Sequence, residues 1–150
     1  MAGYPVSGAR SELRDRAVLY GYIAAGSVIG GWARYLVSVV QTAWLGPGLG
    51  FPWATLFVNV TGSFVIGFYA TLTAPDGRVF ASSRQRQLVM TGICGGYTTF
   101  SGFSFETFEL LRTDHALAAL INLGISPVTW LLAVWIGHFA ATRLNRLKGS

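Results

Sequence analysis

The feature that most constrains this chain is the absence of charge over four long tracts. No Asp, Glu, Lys or Arg occurs from Ala17 to Ala33, from Tyr35 to Pro75, from Gln87 to Phe105, or from Ala116 to Gly137. Each tract reaches or approaches the roughly 20 apolar residues that cross a hydrocarbon core as a helix, and the second holds a span, a loop and part of another. A soluble domain is excluded on the same ground. Charged residues make up 11% of the chain and hydrophobic ones 52%, whereas a soluble surface needs about 25% charged.

The punctuation divides the 150 residues into one membrane domain with two tails. Residues 1–16 are polar and read as a disordered tail. Span one runs from about Ala17 to Trp44 and ends at Gly46-Pro47-Gly48-Leu49-Gly50. Span two runs from about Trp53 to Thr73, stopped by Pro75-Asp76-Gly77. A connector with Arg78, Arg84 and Arg86 leads to span three, about Gln87 to Leu111, and span four runs from about Ala116 to Thr142. The four-span domain is taken as 17–144 and the basic tail as 145–150. A secretory signal over the first tract is disfavoured, because that tract is too long and lacks a small-residue cleavage site.

Four spans place both tails and the connector on one side. Arg10, Arg14, Arg16, Arg78, Arg84, Arg86, Arg143, Arg146 and Lys148 all fall there, which leaves only Arg34 and Arg112 elsewhere. The positive-inside rule makes that side cytoplasmic. The location expected is the cell (inner) membrane, multi-pass.

Glycines crowd the spans, and Gly26 and Gly30 have the four-residue spacing that lets membrane helices approach closely. The polar residues inside the spans are more informative, since each needs a partner or a pathway in lipid. They are Arg34, Asn59, the Thr98-Thr99-Phe100-Ser101 stretch, Glu106, Asn122 and Ser126. Arg34 either snorkels to the headgroups or serves structure or anion attraction, and Asn59 either bonds a neighbouring helix or lines a pore.

Span three carries the sharpest signal. Gly92-Ile-Cys-Gly95-Gly96-Tyr-Thr98-Thr99 joins poor helix formers to β-branched residues, which disfavours a continuous helix at mid-membrane depth. A break frees backbone carbonyls that must find donors, water or a cation; the bland alternative is a packed kink. Thr98, Thr99 or Ser101 is available to cap the resumed helix. Phe100 and Phe103 share one of its faces. Their positive ring edges suit an anion, although two phenylalanines at that spacing are ordinarily core.

At these residues the sequence resembles the fluoride channels of the Fluc (CrcB) family from about Gly21 to Leu144. The family pattern is G-x-x-x-R in span one, T-L-x-x-N-x-x-G in span two, and G-x-x-G-G-x-T-T-F-S-T-F-S-x-E in span three. Here these are Gly30 to Arg34, Thr55 to Gly62 and Gly92 to Glu106. The resemblance implies an all-α membrane fold of four transmembrane helices, the third broken mid-membrane, paired as an antiparallel, dual-topology dimer around two fluoride pathways. It places Phe100, Phe103 and Asn59 on the pathway, with Thr55, Glu106, Asn122 and Ser126 as a polar track beside it. It also implies a structural sodium ion (Na+), not transported, held by the backbone carbonyls of Gly95 and Thr98.

This sequence departs from the pattern at Gly102, where the family carries threonine, at Asn122, where some members carry tyrosine, and at Trp130, where serine is common. Pro127 removes one helix bond in span four. The basic bias sits uneasily with a chain that must insert both ways. The expected partner in the lipid bilayer is therefore either an identical copy or an oppositely biased paralogue, and no nucleic acid is expected. A proton-coupled small multidrug transporter is disfavoured because span one has no Asp or Glu. A non-transporting structural subunit remains a rival. An enzyme is not expected, since His115 and His138 have no adjacent nucleophile or metal-ligand spacing.

Overall fold

The computed structural model describes residues 6–46 and 50–146. Among these, all regular structure is helical: α1 (Val6–Leu45), α2 (Trp53–Leu72), α3 (Ser83–Gln87), a π-helix π1 (Leu88–Cys94), α4 (Gly95–Tyr97), α5 (Phe100–Arg112) and α6 (Ala116–Arg146). By length and composition, α1 from Arg10, α2 and α6 can each cross a membrane. The third hydrophobic segment is instead divided into three shorter helices, π1, α4 and α5, with α3 in the connector before it.

The N-terminal tail expected to be disordered through residue 16 is helical from Val6, and residues 1–5 lie outside the described ones. The upstream residues are good helix formers, with Glu12 four residues before Arg16, so the span's helix extends into them. Asp15 also meets Arg84 of the connector at 3.3 Å. At 40 residues, α1 is about 60 Å long, twice the hydrocarbon thickness. At the far end the chain turns at Gly46 and Gly50, with φ of +75° and +64°, values that glycine adopts without a Cβ penalty. Pro47, Gly48 and Leu49 of that expected loop, and residues 147–150 of the basic tail, lie outside the described residues.

The connector is held to the bundle by its own basic residue. Arg86 donates from Nη1 to the carbonyls of Thr73 and Ala70 and to the Thr73 hydroxyl, so a cation sits on the carbonyl end of α2, where the helix dipole favours it. Ser82 and Gln85 form a capping box that starts α3.

Two seams assemble the bundle: α2 lies along α6, and α1 lies along π1 and α4. Both are built on glycine. A Cβ on Gly26 would fall 2.5 Å from the Leu88 carbonyl oxygen and 2.8 Å from the Gly92 Cα, and one on Gly67 would collide with the Val134 carbonyl oxygen. The sequence spacing of Gly26 and Gly30 thus marks a real close approach, because Gly30 meets Ile93 and Tyr97 in the same way. The core itself is small: Val58, Cys94, Phe103, Ala119, Ala133 and Ala141 are its buried hydrophobic residues. Large apolar side chains such as Ile29, Trp32, Leu36, Leu131, Trp135 and Ile136 point outward. That inside-out distribution suits a lipid environment. α6 runs through Pro127 without interruption.

Candidate functional site around Thr98 and Thr99

The helical chain stops at Tyr97. Thr98 (φ −81°, ψ 159°) and Thr99 (φ −151°, ψ 119°) are extended, and α5 starts at Phe100. Of the three candidate caps, Thr99 is the one used: its hydroxyl accepts from the Gly102 N–H at 2.9 Å. A Cβ on Gly102 would lie 2.7 Å from the Thr99 Cγ2. Glycine at 102 therefore leaves room for the rotamer that makes the cap.

Asn59 of α2 reaches across to the same residue. Its side-chain oxygen accepts from the Thr99 N–H at 2.7 Å, and its amide donates to the Thr99 carbonyl at 2.9 Å. Asn59 is buried, so these bonds satisfy backbone groups that lipid would leave unpaired. The open choice between helix glue and pore lining resolves toward glue for one of its two amide hydrogens. The residue also lines a recess of about 280 Å³ with Gly95, Thr98, Thr99, Phe100 and Trp130.

Two carbonyls lose their helical donors in this arrangement. The N–H four residues beyond Gly95 is that of Thr99, diverted to Asn59, and the N–H four beyond Thr98 is that of Gly102, diverted to the Thr99 hydroxyl. The Thr98 carbonyl receives instead the Arg34 guanidinium, Nη1 at 3.2 Å. Arg34 thus reaches the Thr98 backbone with one of its guanidinium nitrogens. Gly95 is exposed, and a methyl group placed on it would meet nothing within 4 Å.

Phe100 and Phe103 touch, with ring centroids 5.6 Å apart at 51°, but their surroundings differ. Phe103 is 5% exposed and meets Trp130 edge-on at 5.0 Å, whereas Phe100 is 71% exposed.

The expected polar track falls into two clusters. Thr55 donates to Glu106 at 2.8 Å, beside a second recess, about 480 Å³, that Arg34 and Ser101 also line. The other Glu106 oxygen is buried with no hydrogen-bond partner. On α6, Ser126 donates to Asn122 at 2.7 Å and Asn122 to Thr107 at 2.8 Å, all three buried. No hydrogen bond joins the clusters among the described residues, because Glu106 and Thr107 leave α5 on adjacent faces toward different helices. Sequence reasoning gives no role to Thr107, and it offers Thr99 only as one of three possible caps. The need of a buried Asn122 for a partner is the signal that points to a residue such as Thr107.

The family model described as "CrcB-like protein, Camphor Resistance (CrcB)" matches residues 21–138. A protein of Rhodopseudomonas palustris (strain BisB18) named "Fluoride-specific ion channel FluC 1" is 78% identical over 139 residues, 93% of this chain and 97% of the relative. A protein of the same name from Bradyrhizobium diazoefficiens is 57% identical, covering 89% of this chain and 92% of its own. "Fluoride-specific ion channel FluC" of Opitutus terrae is 51% identical, covering 88% and 98%. With a family match over most of its length and relatives this similar, the chain belongs to the CrcB-like family.

Proposed function

We propose that this chain is a subunit of a fluoride-selective channel that lets fluoride leave the cytoplasm passively and so lowers its toxicity. The observation that carries the reading is the 78% identity, over almost the full chain, to a relative named a fluoride-specific ion channel. The geometry around Thr99 supports it. Fluoride is small and tightly hydrated, so a pore must replace its water with donors that still release it. Asn59 and the ring edges of Phe100 and Phe103 offer partial positive charge without a full cation. Thr55 with Glu106, and Asn122 with Ser126, supply the polar groups of a track beside the ion's path. Arg34 raises the potential near the Thr98 end. Transport follows the fluoride gradient and the membrane potential, with no coupled chemistry.

In this reading the chain crosses the inner membrane four times, and the third span is broken at Thr98 and Thr99. It pairs with a second subunit inserted the opposite way. The Gly95 carbonyl, its helical donor diverted, fits a backbone ligand of a structural sodium ion, and the Thr98 carbonyl fits as a second once it is released by Arg34. Two carbonyls undersupply a cation, and a twofold-related copy would double them. Exposed Phe100 and Gly95 gain a neighbour in the same step. The one-sided basic residues favour a fixed orientation for this chain, which supports a paralogue as partner against an identical copy.

Fluoride efflux from vesicles tests this. Purified chain reconstituted alone, or with an oppositely biased paralogue, should empty fluoride-loaded vesicles and retain chloride. Folded protein that releases no fluoride in either preparation overturns the channel reading. Efflux that appears only with the paralogue excludes the homodimer.

A further inference from the structure

At the end of the bundle that holds the connector, an aromatic ring stands outside all packing. Phe80 is 96% exposed, its neighbour Val79 is exposed as well, and Arg84 follows one turn into α3. A bare phenyl ring beside basic residues is poorly placed in water and well placed at the boundary between lipid headgroups and acyl chains.

The depth of this surface follows from α1. Arg84 donates from Nη2 to the Asp15 carboxylate at 3.3 Å, so the start of α3 stands beside residue 15, two residues before the charge-free tract that opens at Ala17. Two residues of helix are about 3 Å, and the headgroup layer is about 5–8 Å deep on each side of the hydrocarbon. Arg14 and Arg16 adjoin Asp15 in sequence, so cations outnumber the carboxylate at this depth.

Between α1 and the start of α3 lies a recess of about 450 Å³, lined by Tyr22, Ser82, Ser83, Arg84 and Gln85. Its side chains offer phenol, hydroxyl, amide and guanidinium donors, and none of them is acidic. The Asp15 pair occupies one Arg84 nitrogen, and both partners are exposed, where an ion pair contributes little. The rest of the guanidinium fork is left to donate, and its geometry matches a phosphate. Basic clusters next to a membrane helix, on the side that positive residues mark as cytoplasmic, attract anionic lipids.

We propose that the recess bounded by Tyr22, Ser83 and Arg84 binds the phosphodiester headgroup of an anionic phospholipid, with Phe80 lodged among acyl chains beside it. The proposal takes from the channel reading only the four-span placement of these elements at the cytoplasmic face, and it is independent of the ion conducted.

The test measures lipid retained by the purified full chain in native mass spectrometry, with phosphatidylglycerol and phosphatidylcholine supplied in equal amounts. The chain should retain phosphatidylglycerol preferentially. Arg84→Gln and Phe80→Ser should each weaken that retention about tenfold, the first by losing a charge-assisted hydrogen bond and the second by losing apolar burial. Asp15→Asn breaks the same ion pair but removes a competing carboxylate, so retention should hold or rise. Arg112→Gln, beyond the far end of α5, should change nothing. Equal retention of the two lipids, unchanged retention in Arg84→Gln, or an equal fall in Asp15→Asn overturns the proposal. Loss of pairing between subunits in Phe80→Ser, with lipid retention intact, assigns the ring to a second copy and overturns it too.

Discussion

The side chain of Asn59 holds the backbone of Thr99 from both sides, accepting from its N–H at 2.7 Å and donating to its carbonyl at 2.9 Å. An extended residue between two helices in a bilayer is tolerable only if its polar groups are satisfied, and here one side chain satisfies both.

Replacing Asn59 with leucine should therefore harm the fold before it harms any pore. Each unpaired buried group costs about 1–3 kcal/mol. Thermal unfolding in detergent should show a lower midpoint for Asn59→Leu. An unchanged midpoint would mean that Thr99 finds other partners.

The two phenylalanines should separate stability from transport. Phe103→Ile alters a buried ring and should cost about 1 kcal/mol of stability, whereas Phe100→Ile alters an exposed ring and should cost little. Both should abolish most fluoride efflux if the ring edges face the ion. Full efflux by a folded Phe100→Ile protein would remove the ring-edge proposal.

At position 102 the expected sign depends on Thr99. Gly102→Ala should destabilise by about 1 kcal/mol, because the new methyl displaces the capping rotamer. In a Thr99→Ser background the Cγ2 contact is gone, and the same change should be neutral or stabilising, since alanine is the better helix former. Equal effects in both backgrounds would show that the close contact is not the reason for glycine.

Glycines 26 and 95 should respond oppositely to a methyl group. Gly26→Ala drives its Cβ into the backbone at Leu88 and Gly92 and should lower the stability of the single subunit. Gly95→Ala meets nothing within the chain. It should leave the subunit folded while reducing its pairing, as measured by cross-linking in lipid vesicles. A Gly95→Ala protein that pairs normally would argue against Gly95 facing a partner.

The helical membrane class and the irregularity after Gly92 are legible in the sequence because each follows from local composition. Charge-free length marks a span, and β-branched residues beside glycine mark an interrupted helix. The use of Asn59 is harder to read, since its partner lies 40 residues away and is backbone, which carries no residue-type signal. The split between Thr55–Glu106 and Asn122–Ser126 is hidden for a similar reason. Periodicity places Glu106 and Thr107 on one helix, but only the packing of α2 and α6 shows that they serve different neighbours. The helical course of residues 6–16 departs from the disorder that their polarity suggests, because Glu12 and its neighbouring arginines are good helix formers.

The seam between α1 and the third segment, where Gly26 and Gly30 meet Gly92 and Ile93, has a thermodynamic consequence. Most helix contacts restrict rotamers when they form, at up to about 2 kcal/mol for a long side chain. Glycine has no rotamers to restrict, and the surrounding lipid already holds the backbone helical. Contact here gains dispersion energy with almost no opposing side-chain entropy. Warming should therefore loosen this seam less than any contact in the molecule made by flexible side chains.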